Sequence, residues 1–381
     1  MGASTRRGAP DVIGRMPEQF FTGILKAAAE ARSQPGERFI DLGRGNPDLP
    51  PPPEAIEAVR EALLHTSDPT VHGYPPFQGA PELREAIAAR YLADYGVELD
   101  PEREVAVIPG TKTGIMLVCL ACAGAGDDIL LPDPGYPDYH SGVALAGARH
   151  AALPLDPASG WQPIFDDVHG ALMALNYPSN PCAVLAADGV LEEAVAWAHA
   201  EGSWLVHDIA YGFLGFERRV RSLLEVPGAR EVATELWSPS KIYGMAGWRV
   251  GFLVGNAEVV ERVKLLVDHL FAGVPLAIQR GLLAALTSDQ GHVGVRRERY
   301  RARRDALVAA LPDLTPPEGS FYAWWRLPEG LTVEEIVRRA RTGVAPGQGF
   351  GSRGEGYARL SLAVPDEDVA EGAARLAALV S

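Results

Sequence analysis

Lysine is rare in this 381-residue chain: of its 35 basic residues only Lys26, Lys112, Lys241 and Lys264 are lysines, and the rest are arginines. Where a positive charge alone suffices the chain uses arginine. A lysine that persists is therefore a candidate for chemistry closed to a guanidinium, such as forming an imine with a carbonyl. Lys26 and Lys264 fall on helix-like stretches, and chance accounts for them. Lys241 lies in Ser238-Pro-Ser-Lys-Ile-Tyr-Gly-Met-Ala-Gly-Trp-Arg249-Val-Gly251, between two strand-like runs, 232–237 and 250–254. In a pocket depleted of water a lysine amine has a lowered pKa and can form a Schiff base, and Ser238, Ser240 and Arg249 could bind a phosphate beside it. A turn carrying a solvated lysine fits the same residues as well, and residue types alone leave the two readings comparable.

Three further segments place polar groups where a strand ends or a helix begins. His207-Asp208-Ile-Ala-Tyr211 follows the apolar run 204–206, and Asn176-Tyr-Pro-Ser-Asn180-Pro181 follows 172–175; open α/β sheets bind ligands at such strand ends. Asp208 also reads as an ordinary strand-end turn aspartate. Pro109-Gly110-Thr111-Lys112-Thr113 leads into a helix, and a helix N-terminus is a ready anion site, though a plain start with a threonine cap fits too. Three cysteines cannot build a disulfide framework. Cys119 and Cys122 lie inside one apolar helix with no second pair, which favours packing over zinc. Cys182 reads as a small apolar filler, with a reactive thiol as the alternative.

Taken together, these segments resemble those of the class I/II pyridoxal-phosphate-dependent aminotransferases, which have fold type I. The lysine segment is similar to the family's S-x-S-K-x-x-x-x-x-G-W-R-x-G. The resemblance implies that Lys241 holds pyridoxal 5′-phosphate as a Schiff base and shuttles the substrate's α-proton, with Ser238 and Arg249 on the phosphate and Ser240 beside them. Similarity of 208–211 to D-x-A-Y makes Asp208 the partner of the ring nitrogen, kept protonated so that the ring accepts electron density. It also makes Tyr211 a donor to the phenolic oxygen and gives His207 a supporting place. The loop 176–183 looks like N-P-x-N-P-T-G, hence Asn180 on the same oxygen and beside the substrate, with Cys182 and Ala183 departing from the usual Thr and Gly. By the same resemblance Gly110, Thr111 and Lys112 cradle the phosphate. Tyr136, in Asp133-Pro-Gly-Tyr-Pro-Asp-Tyr139, stacks on the ring.

The resemblance places substrate recognition at the two ends of the chain. Arg359, in Tyr357-Ala-Arg-Leu-Ser-Leu-Ala363, would clamp the α-carboxylate through its planar fork; one more surface arginine is the bland alternative. Asp41-Leu-Gly-Arg44-Gly45 resembles the loop over that carboxylate, with Gly45 offering a backbone N–H. In the family this loop resembles, the position of Arg44 usually carries a small or apolar residue. Arg44 could therefore grip a second anionic group of the substrate, or it could face solvent or pair with Asp48. Gly73-Tyr74-Pro-Pro-Phe-Gln-Gly79, with Leu83-Arg84, resembles the segment whose tyrosine reaches the neighbouring subunit's phosphate, which implies a homodimer with composite sites. The likeness runs from about residue 38 to 365, and G-T-K-x-G-I and P-D-P-G-Y-P-x-Y resemble most the diaminopimelate-aminotransferase-like branch.

The elements that must position these residues alternate. Apolar runs at 105–108, 129–131, 172–175, 204–206 and 250–254 are separated by helix-length stretches, which predicts an α/β domain with a mostly parallel sheet. Helices are expected over 17–34, 54–65, 82–95, 256–270, 275–287 and 292–311. The tail from about 318 mixes strands at 321–325 and 359–363 with two helices, which suits a smaller α+β lobe. One core rarely grows past roughly 250–300 residues, so the expected division is 1–45 as an N-terminal arm and part of the small domain, 46–275 as the cofactor-binding domain, and 276–381 as the small domain. A net charge of −14 with 47% apolar residues argues against disorder, general nucleic-acid binding and attachment to anionic membranes. No apolar stretch follows Arg6 and Arg7, and the run 115–126 is too short to span a bilayer, so a cytoplasmic protein is expected.

The expected activity is transfer of an amino group between an α-amino acid and a 2-keto acid. A pyridoxal-phosphate lyase, replacement or carbon–carbon bond-forming enzyme, as in specialised metabolism, can use the same residues, because the fold does not say which step follows proton removal. A non-catalytic sensor on this fold usually needs an attached DNA-binding module; with only a short tail before the first expected helix and Lys241 intact, that reading is expected to rank below an enzyme. A nicotinamide enzyme is disfavoured: Gly43-Arg-Gly45-Asn-Pro-Asp48 lacks the third glycine of G-x-G-x-x-G.

Overall fold

The computed structural model describes residues 11–380; residues 1–10, which carry the argument against a secretory signal, and Ser381 lie outside the described residues. Its frame is an eight-stranded sheet in the order Val105–Ile108, Gly251–Gly255, Ala233–Trp237, Trp204–Asp208, Leu172–Leu175, Asp128–Asp133, Arg149–Asp156, Gln162–Pro163. The five strands from Ala233–Trp237 to Arg149–Asp156 pair in parallel. Val105–Ile108 and Leu172–Leu175 are buried along their whole length, as strands covered on both faces must be. Their side chains alternate between two cores: Val105 and Val107 face one, Ala106 and Ile108 the other, the period of two that a pleated strand imposes.

Two features depart from the expected alternation. Gly251–Gly255 runs antiparallel to both of its neighbours, so the segment 238–250 containing Lys241 connects adjacent antiparallel strands instead of crossing over a helix. Arg149–Asp156 is a strand that the apolar-run criterion passes over. It lies near the sheet's edge, its first half is largely exposed, and Arg149, His150 and Pro154 interrupt its apolar pattern.

The expected helices form within a few residues of their predicted limits, the first over Phe20–Ser33 with Gln19 capping it. In Pro81–Tyr95, Leu83, Ile87, Tyr91 and Tyr95 are buried at helical spacing and Gly96 ends the helix in the left-handed region (φ 69°). Burying side chains of this size contributes about 1.5–3 kcal/mol each. Leu276–Thr287 contributes Leu276, Leu282, Ala285 and Leu286 to the larger core. A second core gathers Ile40 and Leu42 from one end of the chain with Tyr300, Phe321, Leu360 and Leu376 from the other.

Over this second core lies a small antiparallel sheet whose central strand, Tyr357–Ser361, is flanked by Tyr322–Arg326 and Ala345–Pro346. Ile40–Asp41 pairs in parallel with Thr342–Gly343. Lys264, assigned to chance on sequence grounds, is buried, and its amine donates to the Glu102 carbonyl and to Glu261.

Candidate active site

A cavity of about 440 Å³ opens at the C-terminal ends of the parallel strands, where the small sheet and the N-terminal helix meet the large one. Lys241 sits on a four-residue turn, Pro239–Ile242, capped by Ser238, whose hydroxyl accepts from the Ser240 N–H. The Lys241 amine lies 5.5 Å over the Phe321 ring. Burial lowers its pKa; Arg359 and Arg249 push the same way, against Tyr322 and Asp208. An amine so placed is neutral more readily than a solvated one, the condition for attack on an aldehyde.

At one side of Lys241 the groups suit an anion. Thr111 and Lys112 open the helix Thr111–Cys122 toward the cavity, and Ser238, Ser240 and Arg249 face it too. Arg249 adopts φ 54°, which turns its guanidinium back so that Nη1 donates to the Ala246 carbonyl at 2.9 Å. Gly110 has φ 83°, and a Cβ there would come within 2.6 Å of an Arg249 nitrogen. Only glycine lets the guanidinium lie against this helix start. The Lys112 amine pairs with Asp138 at 2.9 Å, a carboxylate that also accepts from Gln19 at 2.7 Å.

At the other side is a carboxylate. Asp208 ends the strand Trp204–Asp208 and accepts from the Tyr139 hydroxyl at 2.8 Å and the Ala210 N–H at 3.2 Å. Burial raises its pKa, opposed by the Tyr139 hydrogen bond, the charge of His207 and the Ala210 N–H. Asn176 donates to the Asp208 carbonyl and accepts from the Asn180 N–H, each at 2.8 Å. Tyr211 meets Phe321 and Tyr322 edge to face, and burial holds its hydroxyl protonated, well above the ordinary tyrosine range.

Arg359 is buried beneath the cavity. Its guanidinium donates to Asn180 Oδ1 at 2.8 Å and to the Gly43 carbonyl at 3.1 Å, while its Nε has no hydrogen-bond partner among the described residues. Tyr322, Phe350 and Phe21 surround it, with ring centres 4.0, 4.8 and 5.5 Å away. Gly45 packs against the Tyr322 hydroxyl so closely that a Cβ would overlap it. Tyr136 lines the cavity stacked on Phe21, 5.8 Å between centres.

Arg44 lines the rim and is exposed. Asp48, considered above as its partner, is instead held by Arg303 at 2.7 Å and by the Tyr300 hydroxyl. Tyr74 stays outside: it is 85% exposed and touches Phe77. The cavity also contains residues that sequence reasoning missed: Tyr322, Tyr139, Phe21, Ile24 and Leu25. The aromatic run Tyr322-Ala-Trp-Trp325 and the tyrosine three residues after Tyr136 were the available signals. Cys119 and Cys122 have their thiols pushed up to about 12 by burial, and burial raises that of Cys182 as well, which makes all three poor nucleophiles.

An anion cradle, an amine of lowered basicity and a buried carboxylate in one strand-end cavity form the donor set that a phosphorylated pyridine aldehyde requires. The family described as Aminotransferase class I and II matches residues 37–376. The chain is 40% identical to the L-glutamine–4-(methylsulfanyl)-2-oxobutanoate aminotransferase of Bacillus subtilis, covering 97% of this chain and 95% of that protein. It is 37% identical to an LL-diaminopimelate aminotransferase of Dehalococcoides mccartyi, covering 96% and 97%. A substrate-bound structure of BacF from Bacillus subtilis superposes with a TM-score of 0.90 at 37% identity, over 97% of this chain and 96% of that one. The chain belongs to the class I and II aminotransferases, pyridoxal-phosphate enzymes of fold type I. Among the described residues no helix is long and apolar enough to cross a membrane.

Proposed function

We propose that this enzyme exchanges amino groups between an α-amino acid and a 2-keto acid, with Lys241 as the Schiff-base lysine and the sole proton carrier at the substrate's α-carbon. The observation that carries the reading is the grouping of Lys241, Asp208 and the Gly110–Arg249 cradle around one cavity. Bound there, pyridoxal phosphate would supply an electron sink that acidifies the α-carbon. The chain's own residues do the rest. Thr111, Lys112, Ser238, Ser240 and Arg249, with the N–H groups of the helix start, hold the phosphate. Asp208, oriented by Tyr139, holds the ring nitrogen's proton. Tyr211 and the Asn180 amide donate to the phenolic oxygen, and Tyr136 covers the ring. Arg359 orients the α-carboxylate, aided by the Gly45 N–H, so that the α-hydrogen faces the Lys241 amine.

Phe21, Ile24 and Leu25 form an apolar wall of the same cavity, suited to the carbon stem of a mid-length side chain, with Arg44 at the rim near its end. That size agrees with the glutamine and methylsulfanyl-oxobutanoate that one relative's name gives. The active unit in this reading is a homodimer, in which Tyr74 serves the neighbouring subunit's phosphate. A single-turnover absorbance scan with an amino donor and no keto acid tests the reaction. Complete conversion of the cofactor to its amine form, with one equivalent of keto acid released, is expected; turnover of the donor without that form would assign a lyase or replacement reaction instead.

A further inference from the structure

Directly beneath the cavity floor lies a buried pair that the reaction as described does not use. His207 and Glu235 are both fully buried, and they are register partners on the parallel strands Trp204–Asp208 and Ala233–Trp237. His207 Nδ1 lies 2.7 Å from Glu235 Oε1, and Nε2 lies 3.1 Å from the Tyr177 carbonyl oxygen. A carbonyl oxygen only accepts, so Nε2 carries a hydrogen. Glu235 faces three other donors: the Leu223 N–H at 2.6 Å, the Ser222 hydroxyl at 2.5 Å and the Tyr91 hydroxyl at 3.2 Å. With those donors engaged, the Glu235 oxygens are placed as acceptors, and Oε1 faces His207 Nδ1 in the position of one more donor. Titratable groups near the pair include Asp208 on the same strand, Glu225 on the turn Leu223–Glu225, where Arg219 pairs with it, and Tyr91 and Tyr95 on helix Pro81–Tyr95; burial and then the Glu235 charge raise both tyrosines.

We propose that His207 is a standing imidazolium that positions the site from below. It ties together three strand ends: its own, which carries Asp208; that of Glu235, which leads to Ser238 and Lys241; and, through the Tyr177 carbonyl, the loop bearing Asn176 and Asn180. Neighbouring side chains on a strand point to opposite faces, so its charge lies behind Asp208 and favours the ionised carboxylate without competing for the same hydrogen-bond partner. The proposal rests on the role given to Asp208 above, but its first test does not.

That test is ¹⁵N NMR of the full chain, histidine-labelled and stripped of cofactor, between pH 6 and 9. Of the nine histidines, His65, His72, His150, His169, His199 and His269 are exposed and His140 and His292 half-buried; single substitutions of these eight assign the buried one by elimination. One imidazole with hydrogens on both nitrogens throughout that range is expected. A neutral His207 tautomer at pH 8 would overturn the proposal.

The second test is His207→Gln, which keeps a donor and removes the charge. In the reconstituted variant the pH midpoint of the bound cofactor's absorbance band should move by about one unit, and cofactor should dissociate roughly tenfold faster. A His207→Gln protein that is merely less thermostable, with band and retention unchanged, would reduce the residue to packing and sink the idea. Should that variant fail to fold, the NMR result on the natural chain still decides.

Discussion

Arg359 Nη1 donates to Asn180 Oδ1 at 2.8 Å, joining the central strand of the small sheet to a loop at the end of a large-sheet strand. The bond fixes which way the Asn180 amide points: with its oxygen engaged, its NH₂ is the group left for a ligand. It also leaves Arg359 held by the protein before any substrate arrives, with Nε still to be partnered.

Arg359→Lys keeps the charge and loses the planar fork. A charge-assisted hydrogen bond contributes about 1.5–3 kcal/mol, so kcat/KM should fall roughly 10- to 100-fold for every amino donor alike. Steady-state kinetics with two chemically distinct donors checks this; a loss confined to one of them would move Arg359 from the shared α-carboxylate to a side-chain contact.

Lys241→Ala should fold, leave no borohydride-reducible linkage to pyridoxal phosphate and show almost no turnover; a reduced adduct on Lys112 would reassign the lysine. Lys241→Met addresses stability. The Lys241 pKa is lowered by burial, so the unfolded chain binds the extra proton. The resulting destabilisation is complete below the lowered value and disappears as pH rises through the ordinary lysine value of 10.5. Cofactor-free Lys241→Met should therefore melt higher than cofactor-free wild type at neutral pH, with a margin that shrinks toward pH 10.5. A margin that stays constant with pH would show that packing, not charge, is responsible.

Asp208→Asn removes the charge proposed to face the ring nitrogen while keeping the shape. Proton removal in a single turnover should slow by about 10²-fold, some 2.7 kcal/mol of barrier, with little change in substrate binding. Tyr139→Phe removes only one donor to that carboxylate and should cost a smaller factor in the same direction. Equal rates in wild type and Asp208→Asn would exclude the role.

Arg44 is at the cavity rim with Asp48 already engaged elsewhere. Arg44→Ala should lower kcat/KM for glutamate, by the roughly 1.5–3 kcal/mol of a charged contact, and spare alanine. Equal losses for both donors, or none, would place Arg44 in solvent.

Tyr74 is 85% exposed in the single chain and meets the ring of Phe77, which is itself exposed. Tyr74→Phe should leave the proposed homodimer intact by sedimentation and weaken cofactor retention severalfold, by about the 0.5–1.5 kcal/mol of a neutral hydrogen bond. A fully active wild-type monomer would refute the composite site.

Much of the frame could be read from residues alone. Val105–Ile108 and Leu172–Leu175 are apolar throughout because both faces of each strand are covered, the first at the sheet's edge and the second between parallel neighbours, and their limits agree with the expected ones. Gly110, Arg249, Asp208 and Lys241 sit where local chain geometry must turn or end, so their order and spacing carried the signal. Arg149–Asp156 was illegible because a strand next to the sheet's edge, largely exposed over its first half, needs no continuous apolar run, only neighbours to pair with.

Contacts between distant segments left no such local trace. Nothing near Tyr322 in the chain announces that its ring covers Arg359 and its hydroxyl abuts Gly45. Phe21 belongs to a helix whose pattern says only that one face is apolar, and folding brings that face over Tyr136. The buried partnership of His207 with Glu235 joins residues on separate strands, and the burial of Lys264, with its amine on the Glu102 carbonyl, likewise depends on a residue far away in the chain. Residue types and spacing report what a short stretch of backbone can do. Which side chains share a cavity, and therefore which charges shift one another's protonation, depends on how the sheet and the two cores stack, and only the folded chain brings those charges within a few ångströms.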